Sequence, residues 1–342
     1  MSNSSSTGAG VTAGPKLGAT LFAFTNPYHA RRMGFEDLLR KVAELGIGPG
    51  IEVIGFSSIR NFPVITDDFA ARFKALIAEL GLQPTSLAIN ADAALKRGTR
   101  MDDEAMARYL EPQIRAAAKL GFPVVRSQFG ASPETTRMLV PLLESLNIKL
   151  GPEVHAPLGA DSPPVMAYRE MYDKVNSPLL GFVPDFGTNA RDVPPGYVDL
   201  LRRKAGDEAA VQLALSIWRG PGNAFWKREE FNRQAAERGT APGTASALSV
   251  VFSMLTSNPP ESWLPIMSQI IHVHGKFYEF GADGEETAIP VRELMRVLTQ
   301  GGYDGWISAE WEGHMYSQED GFDHVVQFQK LCRQYIAEAL AG

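Results

Sequence analysis

Four acidic or imidazole side chains stand at the ends of short apolar segments in the second half of the chain. Three carboxylates and one imidazole form an oxygen-rich donor set, which suits Mn²⁺ or Mg²⁺ better than a closed structural zinc site. Charged groups in a packed interior are costly unless they are paired or bind a metal, so four at equivalent positions predict a divalent-metal site. The four residues are Glu153 in "LGPEVHAP", Asp185 in "GFVPDFGTN", His274 in "IIHVHGKFYEF" and Glu310 in "WISAEWEGH".

His155 is the predicted catalytic base. It lies two residues after Glu153, and side chains two apart on a strand point to the same face. Because it lies farther out along the strand, we expect it beside a metal-bound substrate, where an imidazole accepts a proton at neutral pH. The alternative is a histidine at the rim that only hydrogen-bonds the substrate. The residues predicted to bind substrate are Lys276, Gln128, Asn90 and Arg126.

Each of these residues has a structural explanation when it is taken alone. A lone aspartate at the end of a strand, such as Asp185, is more often the cap of the following helix than a metal ligand. Glu310 is equally explained as an ion-pair partner of Lys276 or Arg126. His272 lies deeper in its predicted strand than the predicted ligand, so we expect it to pack or to hydrogen-bond. Only the coincidence of four such residues favours a metal site.

A repeated pattern must position these residues. A helical stretch, a glycine and an apolar run recur in "VAELGIGPGIEVIGF", "IAELGLQPTSLAIN" and "AAKLGFPVVRSQFG". Glycine suits the left-handed end of a helix, and the apolar run suits a strand buried on both faces. Repeated βα units indicate a parallel sheet, and eight of them favour a (β/α)₈ TIM barrel over an open sheet. The predicted strands lie near 17–24, 50–55, 84–90, 122–128, 148–155, 179–185, 269–276 and 304–310.

The connection between the sixth and seventh predicted strands is unusually long. It contains helical stretches near 195–218, 225–238 and 245–257. Connections of this length are usually functional, and in a barrel this one joins the C-terminal face, although a decorative insertion is the alternative. We therefore expect a disordered tail at 1–15 and a single barrel domain at 16–342, with a helical insertion at about 193–260.

Composition limits the classes of partner. The 342 residues are 44% hydrophobic with a net charge of −6, so there is no basic surplus for binding nucleic acid. The single cysteine excludes an internal disulfide and a multi-cysteine metal site, which favours a reducing compartment. There is no long uncharged apolar run and no secretory signal. These features predict a soluble, cytoplasmic protein with neither nucleic acid nor membrane as a partner.

With these motifs the chain resembles the xylose-isomerase-like barrel superfamily of sugar isomerases and epimerases. The likeness covers residues 16–340 and rests on "EVHAP", "PDFGTN", "HVHGK" and "AEWEG". It implies that Glu153, Asp185, His274 and Glu310 are the metal ligands. Two departures, the histidine in "EVHAP" and the long insertion, resemble the α subunit of bacterial C-glycoside deglycosidases.

The narrower resemblance implies a lyase that cleaves the C–C bond between a 3-oxo-glucosyl group and an aromatic, flavonoid-type aglycone, and that works with a small β subunit. His155 would remove the proton beside the ketone, while Mn²⁺, or Mg²⁺ or another divalent ion, would stabilise the enediolate. The insertion residues Trp218, Phe225 and Trp226 would wall the aglycone or belong to the core. A divalent-metal-dependent isomerase or epimerase of a free sugar is the alternative function. A metal-free binding or scaffold protein is disfavoured by the buried charges.

Overall fold

The computed structural model describes residues 14–95 and 97–342. The tail that is predicted to be disordered, residues 1–15, lies outside the described residues except for Gly14 and Pro15, which are both buried.

Eight parallel strands form the centre of the described chain: β1 (Lys16–Thr20), β2 (Gly50–Ile54), β3 (Gln83–Ala88), β4 (Val124–Ser127), β5 (Lys149–Val154), β6 (Val183–Pro184), β7 (Val273–Phe277) and β8 (Trp306–Trp311). Their order in the sheet is β6-β5-β4-β3-β2-β1-β8-β7. Parallel bridges from Phe182 to Ile270 and from Asp185 to His274 join the two ends of this sheet. The arrangement confirms the predicted (β/α)₈ TIM barrel.

Three strand boundaries differ from those expected. The first strand ends at Thr20 because its hydroxyl accepts the amide of Phe22 and begins a 3₁₀-helix. The predicted sixth strand, 179–185, forms a ladder only at Val183–Pro184, and isolated bridges at Leu180, Phe182 and Asp185 continue its pairing on either side. The predicted seventh strand begins four residues late because a 3₁₀-helix occupies Pro260–Gln269.

Helices surround the barrel. Gly46, Gly81 and Gly121, the glycines of the repeated sequence pattern, have φ of 66°, 63° and 91°, the left-handed conformation that ends a helix. Within the described residues no helix has the length and apolar character needed to cross a membrane. The α-helices are α1 (Thr25–His29), α2 (Phe35–Glu44), α3 (Gly55–Ser58), α4 (Asp67–Glu79), α5 (Asp103–Leu120), α6 (Pro133–Leu146), α7 (Pro163–Val175), α8 (Pro195–Ala205), α9 (Glu208–Arg219), α10 (Ala224–Glu237), α11 (Pro242–Ser249), α12 (Val251–Met254), α13 (Val291–Gln300) and α14 (Phe322–Ala341).

Helices α8 to α12 lie between β6 and β7. The stretch predicted as one helix near 195–218 is two helices, because Gly206 has a φ of 61° and the Asp207 carboxylate caps the start of α9 by accepting the amide of Ala210. Phe231, Leu248 and Phe252 are buried among these helices. After α12 the chain returns to the barrel, where Ser257 forms an antiparallel bridge with Asn189 just beyond β6.

Candidate metal and active site

The four predicted metal ligands meet at the C-terminal ends of the last four strands. Glu153 is near the end of β5, Asp185 directly follows β6, His274 is in β7 and Glu310 is near the end of β8. One donor atom from each residue lies within 4.8 Å of the others, and all four residues are buried. Residues separated by more than a hundred positions in the chain are thus collected into one group by the barrel.

Donor atoms of three of these four residues lack hydrogen-bond partners. Asp185 Oδ2, His274 Nδ1 and Glu310 Oε2 are buried, and none of them has a hydrogen-bond partner among residues 14–95 and 97–342. Neighbouring charges are close, with Lys276 Nζ 2.9 Å from Asp185 Oδ2 and His274 Nδ1 2.7 Å from Glu153 Oε1. These short contacts do not have the angles of hydrogen bonds. Buried polar atoms normally have partners, and a divalent cation would supply one to all of them, so the residues present fit such a cation.

Glu52 in β2, which was not among the predicted site residues, orients the imidazole of His274. His274 Nε2 lies 2.9 Å from both carboxylate oxygens of Glu52. A carboxylate only accepts, so Nε2 carries a hydrogen, and Nδ1 is the ring atom that would bind a cation once it has released its own proton. Glu52 is the single charged residue in the buried strand "GIEVI", and that is the signal which marks it.

Several charges hold this pair in its ionised form. Burial acts to raise the pKa of Glu52, but His274 and Arg126 outweigh it and lower that pKa below its usual range. Burial likewise acts to lower the pKa of His274, whereas Glu52, Glu310 and Glu153 together raise it well above the ordinary value. His272 Nε2, deeper in the barrel, is 2.9 Å from the hydroxyl of Ser308. His272 therefore forms a hydrogen bond inside the barrel, as the sequence predicted.

Arg126 bridges two carboxylates of the site. Its Nη1 donates to Glu153 Oε2 at 2.5 Å, and its Nη2 lies 3.8 Å from Glu52 Oε1. Although burial acts to raise the pKa of Glu153, Arg126 and His274 hold it well below the usual value. The sequence analysis predicted Arg126 as a substrate-binding residue. It lines the cavity described below, but its closest contacts are with the predicted ligand Glu153 and with Glu52.

Lys276 is a second fixed cation among acids. Its Nζ lies 2.9 Å from Asp185 Oδ2, 3.1 Å from Glu312 Oε1 and 3.8 Å from Glu310 Oε2. The hydroxyl of Tyr278 donates to the other oxygen of Glu312 at 3.1 Å. Burial acts to lower the pKa of Lys276, but the neighbouring carboxylates raise it well above the ordinary value. Burial raises the pKa of Asp185 to about 6, against the lowering effects of Lys276 and His155.

A cavity of about 330 Å³ opens above these residues. Its lining includes the predicted ligands Glu153 and Glu310 and the predicted substrate-binding residues Lys276 and Gln128. Asn90, which was also predicted for the pocket, is not among the described residues that line it. Its Nδ2 instead donates to the Tyr109 hydroxyl at 3.1 Å. The apolar side chains at this cavity include Phe22, Tyr28 and Phe56.

His155 lines the same cavity and is half-buried. Its Nδ1 lies 2.6 Å from the carbonyl oxygen of Ala156. Because a carbonyl only accepts, Nδ1 carries the hydrogen and Nε2 is the basic atom. The ring is therefore held in the tautomer that a proton acceptor at Nε2 requires. The insertion aromatics Trp218 and Phe225 line a different cavity.

Comparison with known proteins identifies the family. No protein-family model matches the sequence. A C-glycoside deglycosidase alpha subunit from Arthrobacter globiformis is 38% identical over 336 residues, which cover 95% of this chain and 92% of that protein. The chain belongs to the family of C-glycoside deglycosidase alpha subunits. A 3'-dehydrocarminate deglycosidase alpha subunit from a Microbacterium species is 34% identical over 338 residues, which cover 95% of this chain and 96% of that protein.

Solved structures share the barrel with this alpha-subunit homologue. A xylose isomerase domain protein from Planctomyces limnophilus has a TM-score of 0.51 at 14% identity, covering 88% of this chain and 92% of its own. The IOLI protein with a zinc atom has a TM-score of 0.54 at 13% identity, covering 94% and 98%. D-psicose 3-epimerase from Clostridium cellulolyticum H10, with D-tagatose, has a TM-score of 0.54 at 12% identity, covering 89% and 94%. The predicted xylose-isomerase-like fold is confirmed, and so is the prediction that the chain is an enzyme.

Proposed function

We propose that the chain is the catalytic alpha subunit of a metal-dependent lyase. The reaction would cleave the C–C bond between a 3-oxo-glucosyl group and an aromatic, flavonoid-type aglycone. The likeness to C-glycoside deglycosidase alpha subunits over nearly the whole chain is the observation that carries this proposal. One relative is named for a 3'-dehydro compound, and a keto group at that position is what the reaction requires.

The proposed cofactor is Mn²⁺, with Mg²⁺ or another divalent ion as the alternative. Glu153, Asp185, His274 and Glu310 would hold it, and the unpartnered buried atoms of the last three support this assignment. A structural neighbour is described with zinc, which supports a divalent ion in general rather than manganese in particular. When bound, the cation supplies a Lewis acid that stabilises negative charge on the ketone oxygen.

His155 is proposed as the general base. Its Nε2 takes the proton from the carbon between the ketone and the aryl-bearing carbon, while the Nδ1–H stays on the Ala156 carbonyl. The electrons of the broken C–H bond form the enediolate, and they return to expel the aryl group. The aryl carbon takes up a proton, so the products are an anhydro-enone sugar and the free aglycone. The step is an elimination and requires no oxidant.

A small β subunit is the proposed partner, in a hetero-oligomer. The relatives at 34–38% identity are named alpha subunits, and an alpha subunit implies a second chain. A neighbouring reading frame that encodes a small β-rich protein is the natural candidate for this partner.

The alternative is a divalent-metal-dependent isomerase or epimerase of a free sugar. The same base and the same donor set would remove the proton beside a ketone, and D-psicose 3-epimerase shares the barrel. The two functions differ in whether an aryl group leaves.

We expect the chain, supplied with Mn²⁺ and co-expressed with the small partner, to release aglycone from a 3-oxo C-glucoside. It should not epimerise free ketohexoses. Chromatography of the reaction mixtures measures both outcomes. The matched control is the same preparation after chelation, which should release no aglycone. Epimerised sugar without aglycone release would rule out the lyase in favour of the alternative.

A further inference from the structure

A second cavity, of about 250 Å³, lies away from the predicted metal ligands, and we name it the insertion cavity. It is bounded by the connection from β5 to α7, the start of α10 and the segment after α12. It has no described lining residue in common with the metal cavity. The lining residues that matter here are Pro157, Asp161, Trp218, Ala224, Phe225 and Lys227.

Lys227 brings a buried positive charge to this cavity. It is 6% exposed, and its Nζ donates to the carbonyl oxygen of Trp218 at 2.7 Å. No carboxylate of the described residues forms an ion pair with it, and burial lowers its pKa. An ammonium group has three hydrogens to donate, so two remain without an acceptor in residues 14–95 and 97–342. The Trp218 ring, whose centroid is 5.7 Å from Nζ, and the Trp218 carbonyl near the end of α9 stabilise this charge in part. An anionic ligand would add the counter-charge that the described residues do not supply.

The start of α10 brings two free amides to the same cavity. The amide of Trp226 is taken by the side chain of its N-cap, Asn223, at 2.9 Å. The amides of Ala224 and Phe225 have no acceptor within the described part of the chain. The first amides of a helix of 14 residues carry partial positive charge and bind anions. The partial positive charge at the start of α10 and the ammonium of Lys227 therefore both favour an anionic ligand.

The size and the charge of the cavity define that ligand. Phe225, which is 46% exposed, offers an apolar ring surface, and Pro157 and Leu255 add apolar walls. Asp161 is exposed at the same cavity and repels any anion, but it repels a singly charged carboxylate only about half as strongly as a doubly charged phosphate, so a monoanion is favoured. We infer that the insertion cavity binds a small aromatic carboxylate, with its carboxylate on Lys227 and the start of α10 and its ring against Phe225.

This site contacts the segment that carries the proposed base. Pro157 lines the insertion cavity, and it follows Ala156, whose carbonyl oxygen holds His155 Nδ1. A bound carboxylate would therefore lie against the same segment that carries His155 into the metal cavity. Binding itself does not depend on the reaction that the metal cavity performs.

The test is a calorimetric titration of the full chain with benzoate and with its neutral analogue benzamide. We expect benzoate to bind, and benzamide to bind at least about tenfold more weakly, because the ammonium and the amides favour an anion. Lys227→Met should weaken benzoate binding by about tenfold or more. The matched control is Lys204→Met, which removes an exposed lysine at the end of α8 and should leave the affinity unchanged.

Asp185→Asn distinguishes this site from benzoate bound at the metal cavity. It removes a proposed metal ligand, and the inference predicts unchanged benzoate affinity. Loss of binding in Asp185→Asn, or equal binding of benzoate and benzamide by the unsubstituted chain, overturns the inference, as does the absence of benzoate binding at tens of millimolar. If Lys227→Met does not fold, Phe225→Ala replaces it. This exposed side chain should be tolerated, and its loss should weaken benzoate binding several-fold; unchanged affinity would overturn the site.

Discussion

His155→Asn is expected to abolish most turnover while the protein keeps its divalent metal, whereas Asp185→Asn is expected to lose both. A positioned general base contributes about 10²–10⁴-fold to a rate, and His155 lines the cavity without being among the four converging donors. Asparagine is similar in size but is not basic. Elemental analysis of the purified variants measures the metal, and release of aglycone under saturating substrate measures kcat.

Asp185→Asn should lose turnover because it loses the metal, not because it lacks a base. The amide of Gly187 donates to Asp185 Oδ1 at 2.6 Å, and an asparagine carbonyl can still accept that bond, so the local fold should persist. The other oxygen becomes an NH₂ group that cannot bind a cation and that faces the ammonium of Lys276.

The control for His155→Asn is the same substitution at His29, an exposed histidine at the rim of the same cavity, which should change kcat little. Full activity of His155→Asn would remove it as the base. Loss of metal together with activity in His155→Asn would instead make it part of the metal site.

The convergence of the four donors was predictable because barrel geometry requires it. Parallel strands of a closed barrel end at one face, so acidic or imidazole residues at the ends of β5 to β8 must approach one another whatever lies between them. Period-two alternation also predicted that His274 and Lys276 share a face. The register agrees, since Lys276 is paired with Glu310.

The sequence could not predict how deep a charged side chain lies within the barrel or which opposite charge it contacts there. Glu52 is 222 residues from His274, and only closure of the barrel brings β2 across from β7. Arg126 and Lys276, the predicted substrate-binding residues, line the cavity, and each also contacts carboxylates from other strands, which the sequence did not predict. Alternation predicts the face of a strand on which a side chain lies. It does not predict which charge the side chain meets across the barrel.

Loop conformation limited the prediction in the same way. Asn90 ends the run of residues expected to form the third strand, yet β3 already stops at Ala88. The side chain of Asn90 is then held by the Tyr109 hydroxyl and by the amide of Asp92. These contacts depend on where α5 packs, which the local sequence does not determine.

Glu52→Gln is expected to weaken Mn²⁺ binding by about 10–100-fold, although Glu52 is not one of the four converging donors. Glutamine has the same shape, and its carbonyl oxygen can accept from His274 Nε2. Its NH₂ group, however, would replace the oxygen that lies 3.3 Å from His272 Nε2 or the one that lies 3.8 Å from Arg126. The ring of His274 would then keep one neutral acceptor in place of two charged oxygens, and this weaker contact would direct Nδ1 toward the other donors less firmly. Competition with a fluorescent chelator measures the Mn²⁺ affinity.

A general loss of stability must be separated from this specific effect. Glu286→Gln is the matched control, because Glu286 is also a buried glutamate, which accepts the amides of Tyr278 and Ala288 at 3.0 and 2.6 Å. We expect Glu286→Gln to lower the Tm of the metal-free protein and to leave the Mn²⁺ affinity unchanged. Glu52→Gln should lower both the Tm of the metal-free protein and the Mn²⁺ affinity. Equal Mn²⁺ affinity in Glu52→Gln and the unsubstituted chain would show that His274 presents Nδ1 without its carboxylate partner, and the proposed role of β2 in the metal site would have to be abandoned.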